Sequence, residues 1–307
     1  MCELIFATRP SALARWQTGY VMQQLQRHWP ALICTEQIIT TEGDRVLDIS
    51  LPEIGGKGLF TSELEQALLD GRVQAAVHSL KDLPTDDSPR LTLGATPQRA
   101  DPHDILVCPA GNKLADLPSG SIVGTSSNRR SAQILASRPD LLVKPIRGNI
   151  DTRLRKVQAG DYDAIILAAA GLSRLGLDGM ITEYLPFELM LPAPGQGALA
   201  VQCLSRDSQT LRLLQAIDHT ETRLAVNAER AFLSALGGGC SLPVGAIATV
   251  SDDLITMQGI VVSMDGNQIL RVSAVNRDPI LLGRELADKA LSQGAADLLL
   301  PAYGGQS

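Results

Sequence analysis

The sequence has few aromatic residues and no apolar run long enough to cross a membrane. Aromatic side chains make up 3% of its 307 residues, which leaves few rings for stacking on the bases of single-stranded nucleic acid. The longest apolar runs, such as DAIILAAAGL at 163–172, are much shorter than the roughly 20 residues that span a bilayer. The first residues, MCELIFATR, carry an acid where a secretory signal would be basic. We therefore expect a cytoplasmic protein with no membrane partner.

Paired cysteines and a basic field are also missing. The cysteines are odd in number and show no Cys-x-x-Cys spacing, which argues against a disulfide framework and a zinc ribbon. The formal net charge is −6 with four histidines, so a nucleic-acid partner held by a broad basic surface is not expected. We expect reduced thiols and no metal site. The five cysteines are Cys2, Cys34, Cys108, Cys203 and Cys240.

The first hundred residues alternate short β-branched runs with helical segments. LIFATR at 4–9 predicts a strand, and Ser11 can cap a helix that ends near His28. A glycine loop at 55–60 precedes a second helix, where Ser62 and Glu65 have the spacing of a capping box. This alternation predicts an α/β domain. Further strands are predicted at 33–40, 74–79 and 91–95.

The same pattern restarts near residue 100 and predicts a second α/β unit. Its apolar strand runs are typical of parallel sheets that are covered on both faces. LPAPGQGALAVQC at 191–203 contains two prolines and two glycines, and we interpret it as a hinge that returns the chain to the first domain. The predicted strands are 104–109, 121–127, 141–149 and 164–168, with helices from about Asn128 and over about 150–158.

The last third of the chain changes character. Apolar residues repeat at helical spacing up to Leu236, after a capping-box pair formed by Asp218 and Glu221. The segment 254–275 is expected to hold two strands, an Asp-Gly turn and a further strand in an antiparallel meander. A final helix is predicted at about 279–293. Together these elements predict a small α+β domain, and the length suits two or three domains of roughly 100 residues each.

Basic side chains follow the predicted strands, at the edge where open α/β sheets bind ligands. Any one of them could equally be solvated or paired with a surface acid, but eight in such positions favour one shared cleft. Arginine there can hold a carboxylate in a bidentate fork, so the expected ligand carries several carboxylates or phosphates. The eight are Arg9, Lys57, Lys81, Arg129, Arg130, Arg147, Arg153 and Arg155.

The segment GTSSNRR at 124–130 adds hydroxyl groups to this basic setting. Thr125, Ser126 and Ser127 lie at the predicted start of a helix. Backbone amides at a helix N-terminus attract anions, and neighbouring hydroxyls can donate to the same ligand. This segment is therefore a candidate anion-binding site.

Asp82, in HSLKDLP, is the candidate for acid–base or electrostatic chemistry. A carboxylate there could orient a substrate amine, move a proton or stabilise a positive intermediate. Local sequence favours at least as strongly a turn cap before Pro84. His78, in the same segment, is interpreted first as a core histidine.

Cys240 follows three glycines at the end of a predicted helix. The helix dipole at a C-terminus opposes a thiolate, which disfavours a nucleophile, and companion metal ligands at suitable spacing are lacking. A plain buried cysteine remains possible. The glycines favour covalent attachment of a bulky group, because glycine lets a ligand approach the backbone closely.

Eight motifs occur in one order over most of the chain: ATRPSALARWQ (7–17), GGKGLF (55–60), VHSLKDLP (77–84), GTSSNRR (124–130), IRGNIDTRLRK (146–156), AIILAAAGLSRLG (164–176), LPAPGQGALA (191–200) and AERAFLSALGGGCSLPVG (228–245). In this order they resemble the porphobilinogen deaminase, or hydroxymethylbilane synthase, family. The resemblance implies two type II periplasmic-binding-protein-like α/β domains plus a small C-terminal α+β domain with a three-stranded antiparallel sheet. The implied domains are 1–98 with 198–216, 99–197, and 217–307.

The resemblance also implies a reaction. Such a transferase deaminates four molecules of the substrate porphobilinogen and joins them head to tail on a dipyrromethane cofactor, which a thioether holds at Cys240. Water then releases hydroxymethylbilane. Asp82 is expected to hydrogen-bond pyrrole nitrogens and to stabilise the cation left when ammonia departs. A monomer is implied.

The remaining site residues fall into groups. The resemblance implies that Lys57 and Phe60 belong to a loop over the cleft and that Gln196 belongs to the hinge. The acetate and propionate groups of cofactor and substrate are expected at Arg9, Ser11, Lys81, Thr125, Ser126, Ser127, Arg129, Arg130, Arg147, Gly148 and Arg153.

The sequence departs from the family pattern at four positions, Glu42, Glu53, Asn128 and Gly237. Asn128 stands where leucine is usual between the serines and the arginine pair. None of the four removes an expected catalytic group. A different class of function, a small-anion receptor without enzymatic activity, is also compatible with two α/β domains and a hinge, since fold alone does not decide function.

Overall fold

The computed structural model describes residues 3–45, 58–85, 88–239 and 241–303. It contains two five-stranded sheets and one three-stranded sheet. The strands are β1 Glu3–Thr8, β2 Ile33–Ile38, β3 Ala75–Ser79, β4 Leu91–Ala95, β5 Asp104–Val107, β6 Ile122–Gly124, β7 Leu142–Lys144, β8 Ala164–Ala168, β9 Glu183–Tyr184, β10 Leu199–Leu204, β11 Val244–Ser251, β12 Leu254–Val262 and β13 Ile269–Asn276.

The α-helices cover the sheets, and three short 3-10 turns at Leu80–Asp82, Leu114–Asp116 and Asp178–Met180 join elements between them. Over the described ranges, no helix combines the length and the apolar composition that crossing a bilayer requires. The helices are α1 Ala12–His28, α2 Glu42–Arg45, α3 Ser62–Leu69, α4 Asn128–Ser137, α5 Ile150–Gln158, α6 Ala169–Arg174, α7 Ser208–Gln215, α8 Thr220–Ala235, α9 Pro279–Ser292 and α10 Ala295–Tyr303.

The two larger sheets share one strand order. The first runs β2-β1-β3-β10-β4 and the second runs β7-β6-β8-β5-β9. In each, three parallel strands are followed by an antiparallel strand, β10 or β5, which reaches the sheet through a crossover between the two units. The prediction of two type II periplasmic-binding-protein-like α/β domains is thereby confirmed.

The third sheet is antiparallel, in the order β11-β12-β13, as predicted for the C-terminal α+β domain. The predicted break of 254–262 into two strands is wrong, because β12 is continuous through Gly259. A Cβ at Gly259 would lie 2.7 Å from the Phe232 ring of α8, so this glycine serves helix–sheet packing. The other strand that pairs with β12 is β11, which comes before the predicted segment 254–275 in the sequence.

Two predicted capping boxes are wrong in detail. His219, rather than Asp218, caps α8, because its Nδ1 accepts from the Thr222 amide. Asp218 instead accepts from the Thr96 amide at 2.7 Å. Ser62 is the first residue of α3, so its hydroxyl lies inside the helix and donates to the Gly58 carbonyl. Exact caps depend on which side chain the preceding loop presents, and spacing alone does not fix this.

The three parts of the chain meet at a buried ion pair between Arg99 and Glu229. The Arg99 guanidinium donates to Glu229 at 2.6 and 3.1 Å, and its Nε donates to the Gln196 carbonyl at 2.8 Å. Glu229 is 0% exposed and also accepts from the amides of Gly195 and Ala248. This one carboxylate therefore ties α8 to both crossovers and to the third sheet.

Candidate functional site

A cleft of about 590 Å³ lies between the two larger sheets. Its walls are built at the carboxyl ends of parallel strands, where Arg9 follows β1, Ser79 ends β3, Ser126 follows β6 and Ala168 ends β8. Loops at this edge are free of the hydrogen-bonded ladder and can turn side chains toward a ligand. A cleft of this volume suits a small-molecule ligand.

Two helix N-termini point into the cleft. Ser11 caps α1 by accepting from the Ala14 amide at 3.3 Å, and Asn149 caps α5 by accepting from the Thr152 amide at 3.0 Å. Both caps line the cleft. The positive ends of the two helix dipoles therefore favour negatively charged ligand groups in this space.

Cationic side chains outnumber acidic ones in the lining. Over the described ranges, six cationic side chains and three carboxylates reach it. The excess of positive groups favours a ligand with several carboxylates. The cations are Arg9, Lys81, Arg130, Arg147, Arg153 and Arg174, and the acids are Asp44, Asp82 and Asp151.

Lys81 and Asp82 reach the cleft from the 3-10 turn that follows β3. The Lys81 ammonium donates to Oε1 of Gln196 at 3.2 Å. Burial lowers the pKa of Lys81 to about 8, and the charge of Arg130 acts in the same direction, while Asp82 opposes it. A pKa of about 8 places the charge change of Lys81 near pH 8, directly beside Asp82.

Arg153 and Arg147 line the opposite wall, on and just before α5. The Arg153 Nε donates to the carbonyl of Gly148 at 2.8 Å. Burial, with the nearby charges of Arg130 and Arg147, lowers the pKa of Arg153 to about 10. Gly148 has φ +107, and a Cβ there would lie 2.6 Å from Thr152, so only glycine allows this approach of the backbone.

Arg129 and Arg130, predicted together as ligand-binding residues, are placed differently. Arg130 lines the cleft, whereas Arg129 lies outside the lining and is 3% exposed. Both pair with buried Asp104, at 2.5 Å from Arg129 Nη1 and 2.9 Å from Arg130 Nε. Burial raises the pKa of the Asp104 carboxyl, but the two guanidinium charges outweigh it and hold that pKa far below its usual range.

Gln196 connects this ion cluster to Lys81. Its amide nitrogen donates to Asp104 at 3.0 Å and to the Pro102 carbonyl at 2.8 Å, while its oxygen accepts from Lys81. Gln196 is 0% exposed and does not itself line the cleft. A hydrogen-bonded chain therefore runs from Lys81, which is next to Asp82, through Gln196 to the buried carboxylate of Asp104.

Phe60 and Asp44 surround Arg9. The Phe60 ring lies 4.2 Å from the guanidinium carbon, and Asp44 pairs with the same guanidinium. Burial raises the pKa of the Asp44 carboxyl, but its bonds to Arg9 and Thr41 outweigh this and leave the pKa below its usual value. Arg9 is thus already bound by an internal carboxylate.

The hydroxyl groups of GTSSNRR serve the local backbone. Ser126 lines the cleft, where its Oγ exchanges hydrogen bonds with the Ile146 carbonyl and amide. Ser127 caps α4 through the Arg130 amide, and Thr125 accepts from the Ser127 amide at 3.2 Å. Neither Thr125 nor Ser127 lines the cleft. The segment is an ordered helix start in which Ser126 and Arg130 are the members that reach the cleft.

The remaining predicted positions complete the comparison. Ser11, Phe60 and Gly148 line the cleft, while Arg155 is exposed and does not. Lys57 and Cys240 lie outside the described residues. His78 is 5% exposed, and burial lowers its pKa to about 4, so it is a neutral core histidine at physiological pH, as first interpreted.

Arg174 was missed by the sequence reasoning. It is the last residue of α6, lines the cleft and donates to the Gly197 carbonyl at 2.7 Å. Its guanidinium lies 5.9 Å from the Trp16 ring of α1, and burial lowers its pKa to about 10. Arg174 lies six residues beyond the end of β8, so its place in the sequence does not mark it as a strand-end residue.

No group of three His, Cys, Asp or Glu side chains suited to holding a metal ion occurs within the part of the chain that the structure describes. The donors that converge in the cleft are guanidinium, ammonium, amide and hydroxyl groups. Such donors bind anions.

Fold and site together define a protein of two α/β units and a third, antiparallel sheet, with a cleft between the two larger sheets whose lining has an excess of cationic groups. Residues 4–212 match the sequence model of the porphobilinogen deaminase dipyrromethane-cofactor-binding domain, and residues 223–292 match that of the porphobilinogen deaminase C-terminal domain. The chain belongs to the porphobilinogen deaminase family.

Curated relatives agree over nearly the whole length. The porphobilinogen deaminase of Brevibacillus brevis is 50% identical over 293 residues, which cover 95% of each chain. That of Moorella thermoacetica is 48% identical over 97% of this chain and 96% of the relative. That of Bacillus cereus is 47% identical over 100% of both chains. The similarity therefore includes the cleft and all three sheets.

Proposed function

We propose that this chain is a hydroxymethylbilane synthase. It removes ammonia from four porphobilinogen molecules and joins them head to tail on a dipyrromethane held at Cys240, after which water releases hydroxymethylbilane. The observation that carries the proposal is the position of Asp82, a carboxylate in a cleft that it shares with six cationic side chains. Such a cleft can bind carboxylated pyrroles and still place a negative charge beside a developing cation.

The described residues fit a dipyrromethane. Each pyrrole unit brings two carboxylates, and the cleft offers guanidinium groups on both walls together with two helix N-termini. Bound there, the dipyrromethane supplies the carbon nucleophile for the first addition. We assign carboxylate binding to the lining cations Arg9, Lys81, Arg130, Arg147 and Arg153, with Ser11 and Ser126 beside them.

Asp82 acts on the reacting substrate. When ammonia leaves with the C–N electron pair, the remaining pyrrole and its methylene carbon carry a positive charge. The Asp82 carboxylate accepts a hydrogen bond from the pyrrole N–H and stabilises that charge. Lys81, adjacent in the same turn, binds a carboxylate while protonated.

The other expected residues have supporting roles. Phe60 packs on Arg9, and Gly148 allows close approach of the backbone at the start of α5. We assign Gln196, Arg129, Thr125 and Ser127 to holding the cleft walls in place, because their hydrogen bonds run to the protein. Lys57 is proposed as part of the loop that precedes Phe60.

The experiment is ammonia release from porphobilinogen by purified holoenzyme. Asp82→Asn is expected to lower kcat by about 10²- to 10³-fold, in line with loss of one preorganised electrostatic group. Asp116→Asn is a matched control, because Asp116 also ends a 3-10 turn, Leu114–Asp116, but lies outside the cleft lining. Undiminished release by Asp82→Asn would remove Asp82 from the mechanism, and wild-type protein that binds the substrate without releasing ammonia would support a receptor instead.

The domain boundaries 1–98 with 198–216, 99–197, and 217–307 are part of the proposal, as are a cytoplasmic location and a monomeric state. Sheet membership supports the first boundary, because β10 joins β3 and β4. Limited proteolysis tests the boundaries, and light scattering of the purified protein tests the oligomeric state.

A further inference from the structure

The amide of Asn128 binds the backbone beside position 240. Its Nδ2 donates to the carbonyl of Ser241 at 2.8 Å, across 113 residues of sequence. Asn128 is the first residue of α4, directly after the cap Ser127. Since Arg130 of the same helix turn lines the cleft, this bond connects the chain next to Cys240 to a wall of the site.

The preceding side of position 240 packs against the other domain. Gly238 has φ +66, and a Cβ there would lie 2.8 Å from Oγ1 of Thr85. Thr85 follows the turn that carries Asp82, and the carbonyls of Leu83 and Pro84 accept from Arg230 of α8 at 3.1 and 2.7 Å. Gly238 and Ser241, on either side of position 240, therefore approach segments of the two different α/β domains.

The two contacts differ in kind. A hydrogen bond between an amide and a carbonyl fixes both distance and direction. A close van der Waals contact of glycine with a threonine side chain limits approach but not sliding along the surface. If the cleft opens or shifts, the Asn128–Ser241 hydrogen bond holds the chain after position 240 to α4.

We propose that Asn128 is a positioning residue, which ties the anchor of the dipyrromethane to the second α/β domain. This rests on the proposed function. The tether keeps Ser241, the residue after the attachment point, at a fixed place relative to Arg130, Arg147 and Arg153, which bind the carboxylates of the attached pyrroles. Asp82 lies in the first domain, so Asn128 ties the chain beside the anchor to the wall opposite the reacting centre.

The test compares Asn128→Leu and Asn128→Asp with the control Asn112→Leu. Leucine is similar in size to asparagine and donates no hydrogen bond. Aspartate keeps the shape, replaces the donor by a carboxylate facing a carbonyl, and suits the first turn of a helix, so it separates loss of the tether from loss of helix stability. Asn112 lies outside the cleft lining.

Hydrogen exchange of peptides covering 237–245 is read in holoenzyme alongside kcat and KM. Loss of one hydrogen bond is expected to raise exchange at this loop about three- to tenfold in both Asn128 variants. We expect kcat to fall by a similar factor and KM to stay within about twofold, with dipyrromethane loading and Tm kept by Asn128→Asp. The Asn112 control should behave as wild type.

Unchanged loop exchange and unchanged kcat in both variants would overturn the tether. So would loss of dipyrromethane loading in both at normal Tm, because Asn128 would then be needed for attachment rather than for positioning. The proposed function fails by a different result, namely wild-type protein that carries no added mass at Cys240 and releases no ammonia. In that case the hydrogen-exchange rate of the loop would still test the Asn128–Ser241 hydrogen bond.

Discussion

Asp44 binds Arg9 with both carboxylate oxygens. Oδ2 accepts from Nε at 3.2 Å and Oδ1 accepts from Nη2, while the Thr41 hydroxyl and amide hold Oδ2 from the other side. Arg9 is at the same time a proposed partner for a substrate carboxylate. A substrate carboxylate at Arg9 therefore competes with Asp44 for the Nε and Nη2 donors, and the pair makes the cleft weaker for its ligand than its cations alone would suggest.

The first prediction follows from this competition. Asp44→Asn keeps the side-chain shape but weakens the hold on Arg9 by about 1 kcal/mol, as for a partly exposed pair. The KM for porphobilinogen should fall about two- to fivefold, with kcat changed less. Steady-state ammonia release measures both constants. A rise in KM would show that Asp44 orients Arg9 for the substrate instead of competing with it.

Deprotonation of Lys81 is expected to set the decline of kcat/KM at alkaline pH. Burial, with the charge of Arg130, lowers its pKa to about 8, so the charged form that binds carboxylates is present below pH 8 and is lost as pH rises through it. The ratio kcat/KM should fall above pH 8, because it reports groups of the free enzyme.

Lys81→Arg is the matched variant for this profile, because arginine stays charged throughout the range. Its absolute rate can differ from wild type, so the shape of the profile is compared. We expect the decline near pH 8 to move to higher pH. An identical decline in wild type and Lys81→Arg would mean that another group, or the substrate amine, sets the alkaline limb.

Much of the cleft could be predicted from the sequence because parallel strands end at one edge. Arg9, Lys81, Arg130, Arg147 and Arg153 each follow a strand or open the next helix, and the structure brings them to one cavity. Asp82 was already a candidate from its place beside Lys81, although local sequence favoured a turn cap at least as strongly, and the resemblance to the family implied its role. The two larger domains followed from hydrophobic patterning alone.

The partners of these charges could not be predicted. Arg129 and Arg130 are neighbours in sequence, but successive helical residues point about 100° apart, and only one of the two lines the cleft. Their shared partner Asp104 and its link to Gln196 join residues about 90 positions apart. Arg174 was missed for a related reason, because it enters the cleft from the end of α6 rather than from a strand end.

Replacement of Asp104 is expected to have a large effect on the stability of the fold. Asp104 is 0% exposed and lies between two guanidinium groups that are 3% and 6% exposed. Asp104→Asn removes the negative charge and leaves both cations buried, which is expected to lower the free energy of unfolding by about 3–5 kcal/mol. Urea denaturation monitored by circular dichroism measures the change.

Asp140→Asn is the control for the same substitution at an exposed pair. Asp140 binds Arg138 through both oxygens, but in contact with solvent, where an ion pair contributes little. Its unfolding midpoint should stay close to that of wild type. Equal small changes in the two variants would show that Asp104 is dispensable to the buried cluster.

The residues on either side of position 240 lead to the central claim. Gly238 approaches Thr85 of the first domain, and Ser241 accepts from Asn128 of the second. The claim is that Cys240 holds a dipyrromethane on which the substrate is polymerised.

Intact-protein mass spectrometry of active wild-type protein, with peptide mapping of the 233–245 region, tests this claim most directly. The account predicts an excess mass of two linked pyrroles on Cys240, further increments of one pyrrole each on addition of porphobilinogen, and no such mass in Cys240→Ser. An unmodified Cys240 in protein that turns over porphobilinogen would contradict it.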